Sequence, residues 1–284
     1  MSDLRLLLCT DMDRTVIPNG RQPEHPAARR RFADFCNRPE VTLVYVTGRH
    51  RTLAQQAIKN YVLPEPDYAI TDVGTKIYRV IDEQWQTWED WEQEIAKDWH
   101  GKSYQDIKQL LDTVPGLKLQ ELSKQNTHKV SYYLPLHMDT LEVMDHMNDS
   151  LQKEGIAASL IWSVDEPKSI GLLDVLPRNA TKLHAIEFLQ RQLGYHLNEV
   201  LFAGDSGNDL PVLISAIPSV LVANAADEVK EEARQLALHN GHEQALYVAE
   251  ASGLSMNGNY AAGVLEGVWH FAPGFRDMLQ QGEA

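Results

Sequence analysis

Cysteine is nearly absent from this 284-residue chain, which has two, Cys9 and Cys36. Two thiols cannot build the disulfide framework of a small secreted domain. Both stand in apolar contexts where a buried free thiol is the ordinary reading, so a reducing compartment is expected. Long hydrophobic runs are missing as well: Leu6 to Cys9 and Val41 to Val46 fall far short of the roughly 20 residues that cross a bilayer. The segment Met1-Ser2-Asp3-Leu4-Arg5 has neither the basic start nor the small-residue cleavage site of a secretion signal, and a cytoplasmic location is expected. Positive charge is in deficit. Lys and Arg number 26 against 40 Asp and Glu, a net −14, and such a surface repels nucleic acid and anionic membranes, which are excluded as partners. Apolar residues, by contrast, make up 43% of the chain, enough for the core of one large domain or two ordinary ones.

Leu4 to Thr10 reads as a strand buried on both faces that stops at Asp11. Phe32, Phe35 and Cys36 share one face of a helix over about 26–37, with Pro26 in its first turn. Val41 to Val46 repeats the buried-strand pattern and ends at Thr47-Gly48-Arg49, and a helix over about 50–60 follows. Asp67 to Thr71 and Lys76 to Val80 read as further strands around a turn at Gly74. Near residue 85 the character changes: Trp85, Trp88, Trp91 and Trp99 lie in an acidic helical stretch, read as core rather than as a sugar-stacking surface. Strands are expected at Lys118 to Leu122, His128 to Leu134 and Ala158 to Ser163, with a helix over Met138 to Lys153. Alternation of strand and helix resumes with a helix at 180–193, a strand at Glu199 to Ala203, a helix at 208–216 and a strand at Ser219 to Val222. The expected organisation is an α/β, doubly wound domain over 1–85 and 177–284, interrupted by an α+β insertion over 86–176.

Open α/β sheets bind ligands beyond the carboxyl ends of their strands, and four groups of polar residues fall there. Asp11 and Asp13 follow the first strand, and two carboxylates so placed call for a cation; a hard ion such as Mg²⁺ takes carboxylate and carbonyl oxygens. Gly204-Asp205-Ser206-Gly207-Asn208-Asp209 follows another buried strand, with Asp205 and Asp209 one helical turn apart. Thr47 offers a hydroxyl and a main-chain N–H for phosphoryl oxygens, and Gly48 allows close approach. Lys182 opens a helix where its ammonium could meet an anion. Each alone has an ordinary alternative: an Asp-rich turn, a Gly-Asp loop, a Thr-Gly turn, a solvated lysine.

Taken in order, Asp11-x-Asp13-x-Thr15, Thr47, Lys182 and Gly204-Asp205-x-x-x-Asp209 resemble the four signature motifs of the haloacid dehalogenase (HAD) superfamily of phosphotransferases. The insertion looks like the C2-type cap of its Cof-like group. Within that group, Pro66-Asp67-Tyr68, Val73 to Tyr78, Lys129 to Tyr132, Asp174 to Pro177 and Val222 to Ala225 are similar to the sucrose-phosphate phosphatase family. Arg14 stands where Gly or Asn is common, Leu183 where Gly is usual, and Lys76 where an acid is frequent. Arg14 and Leu183 are expected to stay clear of the chemistry.

The resemblance implies a Mg²⁺-dependent phosphatase acting on a sugar phosphate, sucrose 6-phosphate in the first place. It assigns Asp11 as the nucleophile that forms an aspartyl-phosphate. Asp13 becomes the acid and base, a role expected to raise its pKa above that of Asp11. Mg²⁺ would lie among Asp11, the Asp13 carbonyl and Asp205, with Asp209 behind them, while Thr47, Gly48, Asn208 and Lys182 bind substrate. In the cap, Lys129 and Ser131, two apart on an expected strand, face the same way and could both meet a sugar. Phosphatases of other sugar phosphates (mannosylfructose, glucosylglycerate-type or amino-sugar), a phosphomutase and a receiver-like phospho-switch are the alternatives.

Overall fold

The structure, a computed structural model, describes residues 4–165 and 168–280. Met1 to Asp3, part of the segment considered for a secretion signal, lie outside the described residues. The chain divides into two compact units, Met1–Thr87 with Lys182–Ala284, and Trp88–Thr181.

The first unit carries β1 (Leu6–Thr10), α1 (Ala28–Cys36), β2 (Val41–Val46), α2 (Arg51–Tyr61), β3 (Tyr68–Thr71), β4 (Lys76–Ile81) and β5 (Gln84–Thr87). The second holds α3 (Glu89–Ala96), α4 (Tyr104–Leu111), β6 (Lys118–Leu119), β7 (Val130–Leu134), α5 (Thr140–Lys153), β8 (Ala158–Asp165) and β9 (Ile170–Pro177). The first unit resumes with α6 (Lys182–Leu193), β10 (Val200–Gly204), α7 (Leu210–Leu213), β11 (Ser219–Leu221), α8 (Asp227–His239), β12 (Leu246–Val248), α9 (Ala261–Phe271) and α10 (Arg276–Gln280).

Among the described residues the first unit is built on one eight-stranded sheet in the order β12-β11-β10-β1-β2-β3-β4-β5. It is parallel from β12 to β3, and β4 and β5 add an antiparallel edge. All five residues of β1 are buried, as a central strand covered on both faces requires. Leu6 and Leu8 join the core formed with Phe32 and Phe35 of α1, Ala54 and Ile58 of α2 and Val264 and Leu265 of α9. On the other face α6 packs against β3 and α7, and α7 against α8. The chain leaves β1 toward β2 on one side and returns to β10 on the other. The carboxyl end of β1 therefore lies at a topological switch point, the place where such sheets open a crevice.

The second unit is an antiparallel sheet ordered β6-β7-β9-β8. Val130, Tyr132 and Leu134 of β7 and Leu173 and Val175 of β9 pack with Ile107 and Leu111 of α4 and Val143, Met147 and Leu151 of α5. Period-2 alternation turns Ser131 and Asp174, cross-strand partners, to the opposite face. Ser103 and Asp106 form a capping box that starts α4, and Asp139 caps α5 by accepting from the Leu141 and Glu142 N–H groups. Trp91 and Trp99 are fully buried, so these two belong to a core and not to an exposed stacking surface.

The α/β core with an α+β insertion is the architecture expected from the sequence, and the differences lie at edges. The expected strand 118–122 shrinks to two residues, and Leu122–Lys124 forms a 3-10 turn. The strand expected from His128 starts at Val130, because an Asn126–Lys129 bridge turns the chain first. The helix expected over 208–216 is a 3-10 turn at Gly207–Asp209 followed by the short α7. The unit boundaries fall at 87/88 and 181/182 rather than 85/86 and 176/177. β5 pairs with β4 in the first sheet and β9 runs on to Pro177 in the second, and pairing decides membership. Among the described residues no helix is long and apolar enough to cross a membrane.

Candidate active site

Asp11 sits one residue beyond β1, its N–H donating to the Ala203 carbonyl of β10 at 2.9 Å. This bond ties the first acidic turn to the strand that delivers the last one. Lys182, the first residue of α6, is buried and donates to Asp11 Oδ1 at 2.8 Å and to Asp209 Oδ1 at 2.7 Å. It is thus no solvated surface lysine. The other oxygen of Asp209 accepts from the Asp205 N–H at 3.1 Å and from the Ser206 N–H and hydroxyl at 3.3 Å. Gly204 makes room for this carboxylate, since a Cβ there would stand 2.7 Å from the Asp209 Cγ and Oδ2.

Asp205 differs from Asp209 in having capacity to spare. Its Oδ1 accepts from the Thr15 hydroxyl at a long 3.4 Å, while its Oδ2 is buried with no hydrogen bond. Arg14 Nε stands 3.3 Å from that oxygen, near enough for charge attraction but outside hydrogen-bonding geometry. Buried polar atoms without partners are rare in folded proteins and mark sites where a ligand or ion supplies the missing contact. Asp11, Asp205 and Asp209 offer carboxylate oxygens that all lie within 4.8 Å of one another. Hard oxygen donors, one with an unused lone pair, suit a hard divalent cation.

The electrostatics follow from this crowding. Burial, with help from the neighbouring Asp209 carboxylate, pushes the Asp205 carboxyl up to about 6 despite Arg14. Burial likewise raises Asp11 far above the ordinary carboxylate range against the pull of Lys182. Lys182 is held firmly protonated: burial opposes its charge, and Asp11 and Asp209 outweigh burial. A divalent cation reverses the logic for the carboxylates, because it stabilises their ionised forms.

Asp13 does not join this cluster. Its side chain turns to Arg49, which donates from Nε to Oδ2 and from Nη2 to Oδ1, both at 2.7 Å, and Asn19 donates to Oδ1 at 2.8 Å. Burial alone would raise Asp13, but the two-pronged Arg49 contact outweighs it and lowers the pKa. The expected order, Asp13 above Asp11, is therefore reversed, because the crowding of carboxylates falls on Asp11 and the guanidinium on Asp13. Thr47 is buried at the end of β2, and its N–H is spent on the Ile70 carbonyl at 2.8 Å, so only the hydroxyl remains to donate to a phosphoryl oxygen. A Cβ on Gly48 would meet only Val73 Cγ2 at an ordinary 3.9 Å, which leaves the approach to this backbone open to a ligand. These groups line one cavity of about 370 Å³ with Arg14, Ser206 and Asn208.

The sequence profile of the sucrose-6F-phosphate phosphohydrolase family matches residues 4–272. The chain belongs to this family. A protein of Nitrosococcus oceani described only as a HAD-like hydrolase is 48% identical over 98% of this chain and 75% of its own length. The mannosylfructose-phosphate phosphatase of Agrobacterium fabrum is 30% identical over 83% of this chain and 89% of its own. The sucrose-phosphatase of Synechocystis, solved with sucrose and phosphate, superposes with a TM-score of 0.69 at 27% identity, covering 94% of this chain and 98% of the other. The chain spans about half the length of the plant sucrose-phosphatases it matches.

For this sucrose-6F-phosphate phosphohydrolase family member the structure brings Asp11, Asp205, Asp209 and Lys182 into direct contact or close range, with Asp13, Thr47, Gly48 and Asn208 around the same cavity. Asn208 is exposed, and its Oδ1 accepts from Ser206. The two cap residues each have a partner within the cap. Lys129 precedes β7 and pairs with Asp174 at 3.4 Å, and the Ser131 hydroxyl donates to the Lys124 carbonyl at 3.1 Å. Lys129 lies one residue before β7, yet it reaches Asp174, the cross-strand partner of Ser131, so the two side chains share the face away from the core. Arg14 was expected to stay clear of the chemistry, yet its guanidinium faces Asp205. Arg49 and Asn19, which hold Asp13, are not among the residues expected from the sequence; an arginine two residues beyond Thr47 at a strand end is the signal for the first.

Proposed function

We propose that this protein is a Mg²⁺-dependent phosphatase that hydrolyses a sugar phosphate, with sucrose 6-phosphate as the first candidate. The observation that carries the reading is Lys182 bridging Asp11 and Asp209 beside the unsatisfied Asp205 oxygen, all at the switch point of the sheet. Asp11, Asp205 and the Asp13 carbonyl would hold Mg²⁺, with Asp209 orienting them. Once bound, the ion supplies positive charge where the transferring phosphoryl group carries its negative charge.

The remaining work falls to the chain. Asp11 attacks phosphorus in line, forming a carboxylate–phosphoryl bond as the bond to the sugar oxygen breaks. Asp13 protonates that leaving oxygen, then removes a proton from the water that hydrolyses the aspartyl-phosphate, which restores Asp11 and releases phosphate. Because Arg49 and Asn19 hold Asp13 as a carboxylate, taking up the proton it delivers costs Asp13 one of the two Arg49 bonds, while the other keeps the carboxyl aimed. The Thr47 hydroxyl and Lys182 hold phosphoryl oxygens, and Gly48 and Asn208 border them. Lys129, paired with Asp174, and Ser131 lie on one face of the cap sheet and are the residues this reading would place at the sugar. Cys9 and Cys36 are buried and unpaired, in keeping with action in a reducing compartment such as the cytoplasm.

The family match supports the sucrose phosphate reading. The Agrobacterium relative, matched over most of its length, supports a second, mannosylfructose phosphate. Phosphate release with Mg²⁺ across sucrose 6-phosphate, mannosylfructose phosphate, fructose 6-phosphate and an amino-sugar phosphate decides. Sucrose 6-phosphate should exceed fructose 6-phosphate at least about tenfold in kcat/KM, about 1.4 kcal/mol of transition-state discrimination. Equal rates would overturn the disaccharide assignment. Loss of all release in Asp11→Asn would tie the reaction to this site.

A further inference from the structure

Arg14 is the residue of this chain whose placement the phosphatase reading leaves unexplained. It occupies the turn after β1 with a φ of +58°, a left-handed conformation that side chains other than Gly, Asn and Asp adopt at a cost of about 1 kcal/mol or more. Its backbone is pinned from both sides: the Arg14 N–H donates to Asn19 Oδ1 at 2.8 Å, and Asn224 Nδ2 donates to the Arg14 carbonyl at 2.7 Å. So fixed, the side chain brings Nε to 3.3 Å from Asp205 Oδ2, the one cluster oxygen that is buried and accepts no hydrogen bond. Asp205 is nearly inaccessible, while the Arg14 side chain is 45% exposed at the cavity.

The charges make the consequence plain. Three carboxylates against Lys182 leave two negative charges uncompensated, and Arg14 cancels one of them. A cation entering on Asp205 must approach the same oxygen that the guanidinium faces. Two positive charges cannot share a buried oxygen at about 3 Å without repulsion, which is substantial where screening is incomplete.

We propose that Arg14 is a positioning residue that acts as an internal counter-cation for Asp205, which a divalent metal must displace, so that it sets the metal affinity of the site lower than the carboxylates alone would. The proposal rests on the reading of this site as a metal site, and its test separates the two. Asn at position 14 keeps the left-handed turn accessible while removing the charge; Lys retains the charge.

Calorimetric titration of Mg²⁺ into the metal-stripped full chain is compared for wild type, Arg14→Asn, Arg14→Lys and Asp205→Asn, with thermal unfolding of each as a check on folding. Arg14→Asn should tighten Mg²⁺ binding by about tenfold, the scale of one nearby partly screened charge. Arg14→Lys should stay within about threefold of wild type, and Asp205→Asn should abolish the binding heat. The Mg²⁺-induced rise in melting temperature should be larger in Arg14→Asn than in wild type. An Arg14→Asn protein that binds Mg²⁺ no more tightly, or an Arg14→Lys protein that tightens as much as Arg14→Asn, overturns the role of Arg14 alone. Absence of saturable Mg²⁺ binding in wild type, or binding untouched by Asp205→Asn, overturns the metal site and Arg14's role with it.

Discussion

The guanidinium of Arg49 grips the carboxylate of Asp13 with two parallel hydrogen bonds of 2.7 Å, Nε to Oδ2 and Nη2 to Oδ1. Such forked pairs fix orientation as well as charge. Asp13 is therefore held ionised and aimed by a residue two positions beyond Thr47, on the neighbouring strand end.

Arg49→Ala removes that grip, and the loss should fall on substrates whose leaving oxygen needs a proton. We expect kcat/KM for a sugar phosphate to drop at least about tenfold, or ~1.4 kcal/mol. An aryl phosphate, which departs unprotonated, should lose less. Parallel losses for the two substrates would show that Arg49 acts on phosphoryl binding instead.

Lys182→Met leaves Asp11 and Asp209 buried without their shared cation. Removing one partner of a buried pair costs about 3–5 kcal/mol, so the metal-free protein should melt well below wild type at neutral pH. Lowering the pH should narrow the gap, because the Asp11 carboxyl, already raised by burial, can then take up a proton. A melting temperature equal to wild type in a metal chelator would contradict the bridge seen here.

Burial places the Asp205 carboxyl at about 6 and raises Asp11 as well, above the value near 3.9 of an unfolded Asp. Raised carboxylates favour the folded state below about pH 4, and this contribution is lost as pH climbs through about 6. Metal binding has the opposite sign, since the ligands must shed protons. The rise in melting temperature on adding Mg²⁺ should therefore grow between pH 5 and pH 7.5, as followed by thermal unfolding with and without chelator. A constant increment would contradict the raised values.

Gly204→Ala places a methyl where the Asp209 carboxylate lies, 2.7 Å from its Cγ. Overpacking of this kind costs about 1–3 kcal/mol. The shifted carboxylate also loses its hold on Lys182 and on the Asp205 N–H. Denaturant unfolding should report the first effect and weakened Mg²⁺ binding the second; a variant normal in both would mean that the turn relaxes freely.

Much of this protein was legible in its sequence for local reasons. A strand buried on both faces shows as an uninterrupted apolar run, and Leu6 to Thr10 and Val41 to Val46 are such runs. Polar turns follow such runs directly, so Asp11, Thr47, Asp205 and Asp209 could be assigned to one rim from adjacency to strand ends, and Lys182 from its place at the start of a helix. The edges were harder. The two-residue β6 and the turn before Val130 depend on pairing with distant partners, and α8, β12 and α9 lie beyond the last strand expected from the sequence, at Val222.

Which way each side chain turns was decided only by the tertiary structure. Asp11 and Asp13 are two residues apart and alike in chemistry, yet one is buried against Lys182 and the other held outward by Arg49. Their pKa values move in opposite directions as a result. Desolvation and Coulomb terms depend on distance in space, and the groups that set them lie 171 and 36 residues away along the chain. The same holds for Arg14, whose guanidinium reaches Asp205 only because the sheet sets β1 beside β10. Sequence specified the chemical groups and the strand ends that carry them; the three-dimensional packing assigned each group its neighbour, and with it its charge.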